Sequence, residues 1–129
     1  MKIRVLFSLL LVLLSSSACS HLNRSRVKFT SLGVEAFEKF IQHDNVYLVD
    51  VRTPEEHAKG AIEGTDENLD VKSATFFTDF KRLPKDKTIA VYCKGGGRSK
   101  QVAGVLSGNG YKVVELATGY DGWIKQKQQ

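Results

Sequence analysis

Val46-Tyr-Leu-Val-Asp-Val-Arg-Thr-Pro-Glu-Glu56 is the stretch whose reading decides the fold. Its first six residues are almost all apolar. A strand with one face in water alternates; a near-continuous apolar run suits a strand covered on both faces, as in a parallel sheet flanked by helices. The change to Thr53-Pro-Glu-Glu56 is abrupt. Thr53 is a good helix N-cap, Pro54 fits the first helical position, and Glu56 completes a capping box. Gly60 is placed to close that short helix. A buried strand followed at once by a capped helix is half of a β–α–β unit.

The same alternation extends in both directions. Upstream, Val27 to Thr30 is expected to form a short strand, and Leu32, Ala36, Phe37, Phe40 and Ile41 recur at helical spacing. Downstream, Asn68 to Val71 reads as another short strand. Ser73 is expected to cap a helix carrying Phe76, Phe77 and Phe80, which Leu83-Pro84 stops. Thr88-Ile-Ala-Val-Tyr92 is a second buried strand. Ser99 to Ser107 reads as a helix ended by Asn109-Gly110. Val113, Val114 and Leu116 make a last strand before a C-terminal helix with Trp123 and Ile124. Alternating strands and helices imply an α/β domain built on a mainly parallel sheet. Ligands of such sheets bind beyond the carboxyl ends of the strands. Asp50-Val-Arg52 and the segment from Cys93 to Ser99 both fall there.

The chain has 129 residues, enough for one domain. Charged residues make up 26% and hydrophobic ones 42%, which excludes disorder as the main state. Two cysteines exclude a disulfide scaffold, and no Cys-x-x-Cys pair suggests a structural metal. The N-terminus reads as an address. Lys2 and Arg4 are basic, Val5 to Leu14 is apolar, and Ser15-Ser-Ser-Ala18 is small, with Cys19 next. That is the order of a secretory signal, and the apolar run is too short for a good spanning helix. Ser16-Ser-Ala-Cys19 resembles the lipobox of bacterial lipoproteins, with Ser16 in place of the usual large aliphatic residue. An ordinary signal peptidase using Ser16 and Ala18 would cut at the same bond. The expected division is residues 1–18 as signal peptide, 19–26 as a polar tether and 27–129 as the domain, with Cys19 as the lipidation site. The protein is expected to be exported to the cell envelope or periplasm and lipid-anchored to a bacterial membrane. The charge of +5 falls to +3 in the cleaved chain, and no basic cluster interleaves with aromatics, so no nucleic-acid partner is expected.

Cys93-Lys-Gly-Gly-Gly-Arg-Ser99 is where the chemistry concentrates. Glycines let successive N–H groups turn inward as an anion nest. A helix starting near Ser99 adds unsatisfied N–H groups and the positive end of its dipole. Lys94 and Arg98 add charge. A cysteine held in such a field favours the thiolate, which is the nucleophilic form. A phosphate-binding loop of the G-x-x-x-x-G-K-[ST] kind is absent.

Three stretches, Leu48 to Glu56, Tyr92 to Ser99 and Gly110 to Trp123, stand in an order and spacing that resemble a single-domain rhodanese, a thiosulfate or persulfide sulfurtransferase. The resemblance covers roughly residues 27 to 125. It implies a mainly parallel sheet of roughly five strands with helices on both faces. It implies that Cys93 takes a sulfane sulfur as a persulfide and passes it to cyanide or a thiol. Lys94, Gly95, Gly96, Gly97, Arg98 and Ser99 would bind the substrate, with Arg98 on an anionic donor. Asp50 and Arg52, which match the family's Asp-x-Arg, would support the loop. Four residues separate Cys93 from Arg98; phosphatases of related fold use one more, so the spacing resembles the sulfur-transferring branch. No metal or organic cofactor is expected. The expected partners are small sulfur-containing anions or thiols, or a protein that donates or accepts sulfur. Two other readings stay open: a non-catalytic binding module, and an envelope persulfide carrier or redox partner. The rim departs from the family at Gly60-Ala-Ile-Glu-Gly-Thr65, Asn68-Leu-Asp70 and Thr118-Gly119. His57 is expected to pack where the family often has an aromatic residue, and His21 and His43 to lie on the surface. Of the adjacent Phe76 and Phe77, only one can face the core.

Overall fold

The computed structural model describes residues 28–129. The expected signal peptide, tether, Cys19 and His21 lie outside those residues, as does the start of the strand expected at Val27. Five parallel strands form one sheet in the order β1-β5-β4-β2-β3. They are β1 (Thr30–Leu32), β2 (Val46–Asp50), β3 (Glu67–Asn68), β4 (Thr88–Tyr92) and β5 (Lys112–Leu116). The helices are α1 (Val34–Phe40), α2 (Pro54–Ala58), α3 (Phe76–Asp79), which runs into a 3₁₀ turn at Phe80–Arg82, α4 (Gly97–Gly108) and α5 (Gly119–Lys127).

The strand alternation sorts the core onto two faces. Val49, Val91 and Val113 join Val102, Ala103 and Leu106 of α4, with Phe76 and Phe80 closing the far side. Leu48, Ala90 and Val114 point the other way, against Val34 and Phe37 of α1 and the Trp123 ring of α5. Neighbouring residues of one strand are thus both buried. That explains the unbroken apolar runs of β2 and β4. Phe77 is the adjacent aromatic that cannot turn inward; it is 67% exposed and lies edge-on against Phe76.

Three boundaries differ from the sequence expectation. The first strand runs over Thr30–Leu32, past the expected end at Thr30 and without Lys28 and Phe29, because its partner β5 pairs Thr30 with Val114 and Leu32 with Leu116. The strand expected over Asn68 to Val71 is only Glu67–Asn68, the two residues that register with Val49 and Asp50. Ser73 does not cap α3, whose N-cap is Thr75; the Ser73 hydroxyl instead accepts from Thr75 N at 3.2 Å, a local turn that competes with helix.

The strand order places the site. From β2 the chain moves outward to β3; from β4 it moves the opposite way to β5. The crevice beyond the carboxyl ends of β2 and β4 is therefore the switch point of the sheet. Arg52 follows β2 there and Cys93 follows β4.

Candidate active site

Cys93 is 1% exposed at the base of a tight loop. Gly96 N–H donates to its sulfur at 3.1 Å. The loop makes this turn because Gly96 has φ +99°. A Cβ there would also sit 2.1 Å from the Ala117 carbonyl oxygen. Helix α4 begins at Gly97, two residues earlier than expected, so the first-turn N–H groups of Gly97, Arg98 and Ser99 have no intrahelical acceptor. Ser99 is fully buried, and its hydroxyl stands 3.4 Å from Cys93 Sγ.

The wall opposite is α5. Tyr120 N–H donates to the Cys93 carbonyl at 2.8 Å and Asp121 N–H to that of Lys94 at 3.0 Å. This close docking explains Gly119, with φ +64°, where a Cβ would meet Lys94 O at 2.3 Å. The departure from the family pattern at Thr118-Gly119 thus keeps the one glycine that the packing demands.

Asp50 and Arg52 form a buried fork. Arg52 Nε donates to Asp50 Oδ1 at 2.9 Å, and its terminal nitrogen donates to Oδ2 at 2.6 Å and to the Gly60 carbonyl at 2.7 Å. The guanidinium carbon lies 4.3 Å from the Tyr120 ring centroid and 5.5 Å from that of Tyr92. So the cation reaches the Cys93 loop through Tyr120, whose backbone holds the Cys93 carbonyl. Asn68 Nδ2 ties the carbonyls of Asp50 and Arg52 at 3.0 and 2.9 Å. Burial pushes the Tyr92 phenol up to about 12, and its hydroxyl is engaged by Ile62 N–H and Thr65.

Three side chains behave differently from expectation. His57 is not simply a packing residue: its Nδ1 is 2.9 Å from Asp50 Oδ2. Arg98 is not presented alone to an incoming anion. Its guanidinium forms a two-point pair with Glu56, at 2.7 and 2.8 Å. Lys94 likewise pairs with Asp121 at 2.8 Å, on the exposed surface. Glu56 thus has two tasks, since its carboxylate also accepts from Thr53 N–H at 2.9 Å while Glu56 N–H donates to the Thr53 hydroxyl, completing the expected capping box.

The Arg98 hydrogen bond, opposed by desolvation and helped by Thr53 N–H, holds the Glu56 carboxyl down at about 2, against an ordinary 4.5. A carboxyl depressed in the folded state adds stability above its unfolded value and loses it as pH falls through its folded value. Glu56→Gln keeps the cap geometry and removes the ion pair. The variant is expected to be about 1–2 kcal/mol less stable at neutral pH, after screening of a partly exposed pair. The difference should be complete above about pH 4.5 and vanish by about pH 2. Urea midpoints across that range check it; a difference that persists at pH 2 would contradict the ion-pair account.

Glu115 was not foreseen at all. It is fully buried beneath α4, with the Ser31 and Ser99 hydroxyls on its two oxygens. Sequence reading had one available sign, an acid inside the apolar run Val113-Val-Glu-Leu116. Among the described residues, no group of three or more His, Cys, Asp and Glu side chains converges as a metal site requires.

The arrangement is a buried cysteine in a nest of N–H donors, braced from behind by a buried ion pair. Known proteins of this build agree. A curated sulfurtransferase of Allochromatium vinosum is 32% identical over 89 residues, covering 68% of this chain and 80% of its own. A putative sulfurtransferase of Bacillus subtilis, YtwF, is 31% identical over 86 residues, covering 67% and 81%. The crystal structure of a rhodanese-related protein from Thermoplasma volcanium superposes with a TM-score of 0.68 at 28% identity, over 76% of this chain and 93% of that one. The rhodanese-like domain profile matches residues 33–126. With residues 33–126 matched and the cysteine loop within them, the chain belongs to the rhodanese-like domain family.

Proposed function

We infer that the protein is a sulfurtransferase that carries sulfane sulfur on Cys93. The observation that supports this most is the Gly96 N–H on Cys93 Sγ at the N-terminus of α4. That donor and the helix end stabilise negative charge at the sulfur. In the first step the Cys93 thiolate attacks the outer sulfur of a donor such as thiosulfate. The donor S–S bond breaks, a Cys93 Sγ–S bond forms, and sulfite leaves with the electron pair. The outer sulfur carries the charge into the nest lined by Lys94 to Ser99. In the second step cyanide or an acceptor thiolate attacks that sulfur, and the Cys93 thiolate leaves. Neither step changes the number of protons. Asp50 and Arg52 hold the loop through Tyr120, and no metal or organic cofactor enters the scheme.

Small sulfur-containing anions, thiols or a protein donor are the partners this site would serve. Export, with lipid on Cys19 holding the domain at a bacterial membrane through residues 19–26, belongs to the same reading; stable anchoring takes two or more acyl chains. One measurement tests both halves. The intact mass of the mature protein should show acyl chains on Cys19 and, after thiosulfate, a gain of one sulfur atom on Cys93. A chain without lipid removes the anchor alone. A chain that gains no sulfur from thiosulfate or from a thiol persulfide belongs with rhodanese-like domains used for binding.

A further inference from the structure

Three cationic side chains stand around the Cys93 loop, and each is already met by an acid. Arg52 is forked on Asp50. Lys94 lies on Asp121 at 2.8 Å. Arg98, in the first turn of α4, directs both terminal nitrogens at Glu56, one to each carboxylate oxygen, at 2.7 and 2.8 Å. That two-point pair uses the edge of the guanidinium that would otherwise grip a sulfonate. Glu56 is itself pinned: Thr53 N–H holds its Oε2 at 2.9 Å, and the capping box fixes the turn that carries it. With its carboxyl held at about 2, chiefly by the Arg98 hydrogen bond, Glu56 stays ionised at any working pH. The three pairs therefore sum to no net charge at the mouth. The other titratable groups there are His57, which rests on Asp50, and Glu115, which lies beneath Ser99.

An incoming donor is thus held by two unequal devices. The loop N–H groups at the start of α4 suit one charged sulfur. An ion pair attracts an approaching charge far less than a lone cation does, because its two fields largely cancel. The second charge of thiosulfate, on its sulfonate end, finds no cation waiting. We propose that Glu56 sets the donor specificity of the site by acting through Arg98: with the guanidinium cancelled, the crevice selects sulfane donors that bear one negative charge over the dianion thiosulfate. Thiosulfonates and the anions of thiol persulfides are such donors. Each delivers its terminal sulfur as thiosulfate does. The Cys93 thiolate attacks that sulfur, the donor S–S bond breaks, a Cys93 Sγ–S bond forms, and a sulfinate or a thiolate leaves with the electron pair. Thiosulfate still reacts, at a lower kcat/KM than an uncancelled Arg98 would give it. Glu56 touches no reacting atom, so it is a positioning residue. The inference rests on Cys93 carrying sulfane sulfur.

The experiment measures kcat/KM for thiosulfate and for methanethiosulfonate, with cyanide as acceptor, in wild type and in Glu56→Gln. Methanethiosulfonate is a monoanion whose terminal sulfur also sits on a sulfonyl group. The charge removed acts twice on a dianion and once on a monoanion. Glutamine should therefore raise kcat/KM about tenfold for thiosulfate and about threefold for methanethiosulfonate, moving their ratio about threefold toward thiosulfate. The lower stability of the variant affects both donors alike and cancels in the ratio. Glu56→Asp keeps the charge and should keep the wild-type ratio. A ratio unmoved in Glu56→Gln, or moved equally in Glu56→Asp, overturns the proposal. Should the glutamine variant not fold, salt decides in the wild type. A cancelled mouth predicts that kcat/KM for thiosulfate changes less than about threefold between about 10 and about 200 mM salt, and a steeper fall overturns it. A chain that takes sulfur from neither donor removes the sulfurtransferase reading and this inference with it. Transfer from both donors with an unmoved ratio removes this inference alone.

Discussion

Cys93→Ser is expected to lower thiosulfate-to-cyanide sulfur transfer by at least about a thousandfold, while leaving the fold in place. The size follows from the chemistry. In the proposed cycle the cysteine forms and breaks the only covalent bond to the travelling sulfur, and a serine hydroxyl does not replace a thiolate in either step. The fold should survive because Cys93 is one member of a core cluster that stretches from Val49 to Val113, and serine is close in size. A serine at the base of the nest can still accept from Gly96 N–H. Initial rates of thiocyanate formation test the first part, and a thermal melt within a few degrees of wild type tests the second. Turnover retained in the variant would remove Cys93 from the mechanism. Because Cys19 is remote from this loop in sequence, Cys19→Ser serves as the control and should transfer at the wild-type rate.

The second large effect belongs to the buried fork. Arg52→Met should destabilise the domain by about 3–5 kcal/mol, since it leaves Asp50, itself 0% exposed, with a charge and no guanidinium. His57 Nδ1 and the Arg52 backbone N–H, which lies 2.9 Å from Asp50 Oδ1, are the partners that remain. Replacing both members, as Asp50→Asn with Arg52→Met, should cost clearly less than the single change, because no unpaired charge is then buried. Urea denaturation of the two variants gives the comparison. A single variant within about 1 kcal/mol of wild type would mean that the pair adds little to the loop's footing. The same change also strips the Tyr120 ring of its cation, so transfer should fall in Arg52→Met even where the protein is folded.

Much of this is legible in the chain itself. The Thr53/Glu56 capping box, the strands Val46–Asp50 and Thr88–Tyr92 and the helix behind the glycine loop all depend on residues close together in sequence. Their signals are the apolar run, the cap residue and the glycine turn, each of which acts within a few residues. The cysteine loop is legible for the same reason. Its geometry is made by its own glycines and by the helix that follows it.

What no local pattern could show was the company these elements keep. Glu56 reads as a cap, and it is one, but the fold also brings it to Arg98, 42 residues away. Glu115 meets Ser31 across 84 residues, and only the sheet order, with β1 beside β5, makes them neighbours. Arg52 could be seen as a supporting residue, yet its seat on the Tyr120 ring required α5 to return to the same end of the sheet. Sequence by itself determined the turn that holds Cys93 and the class of fold, because hydrophobic period and backbone sterics are short-range. Tertiary structure alone decided which charges neutralise one another around Cys93, because ion pairs and buried carboxyls depend on distance in space and on the exclusion of water, neither of which is written in neighbouring residues.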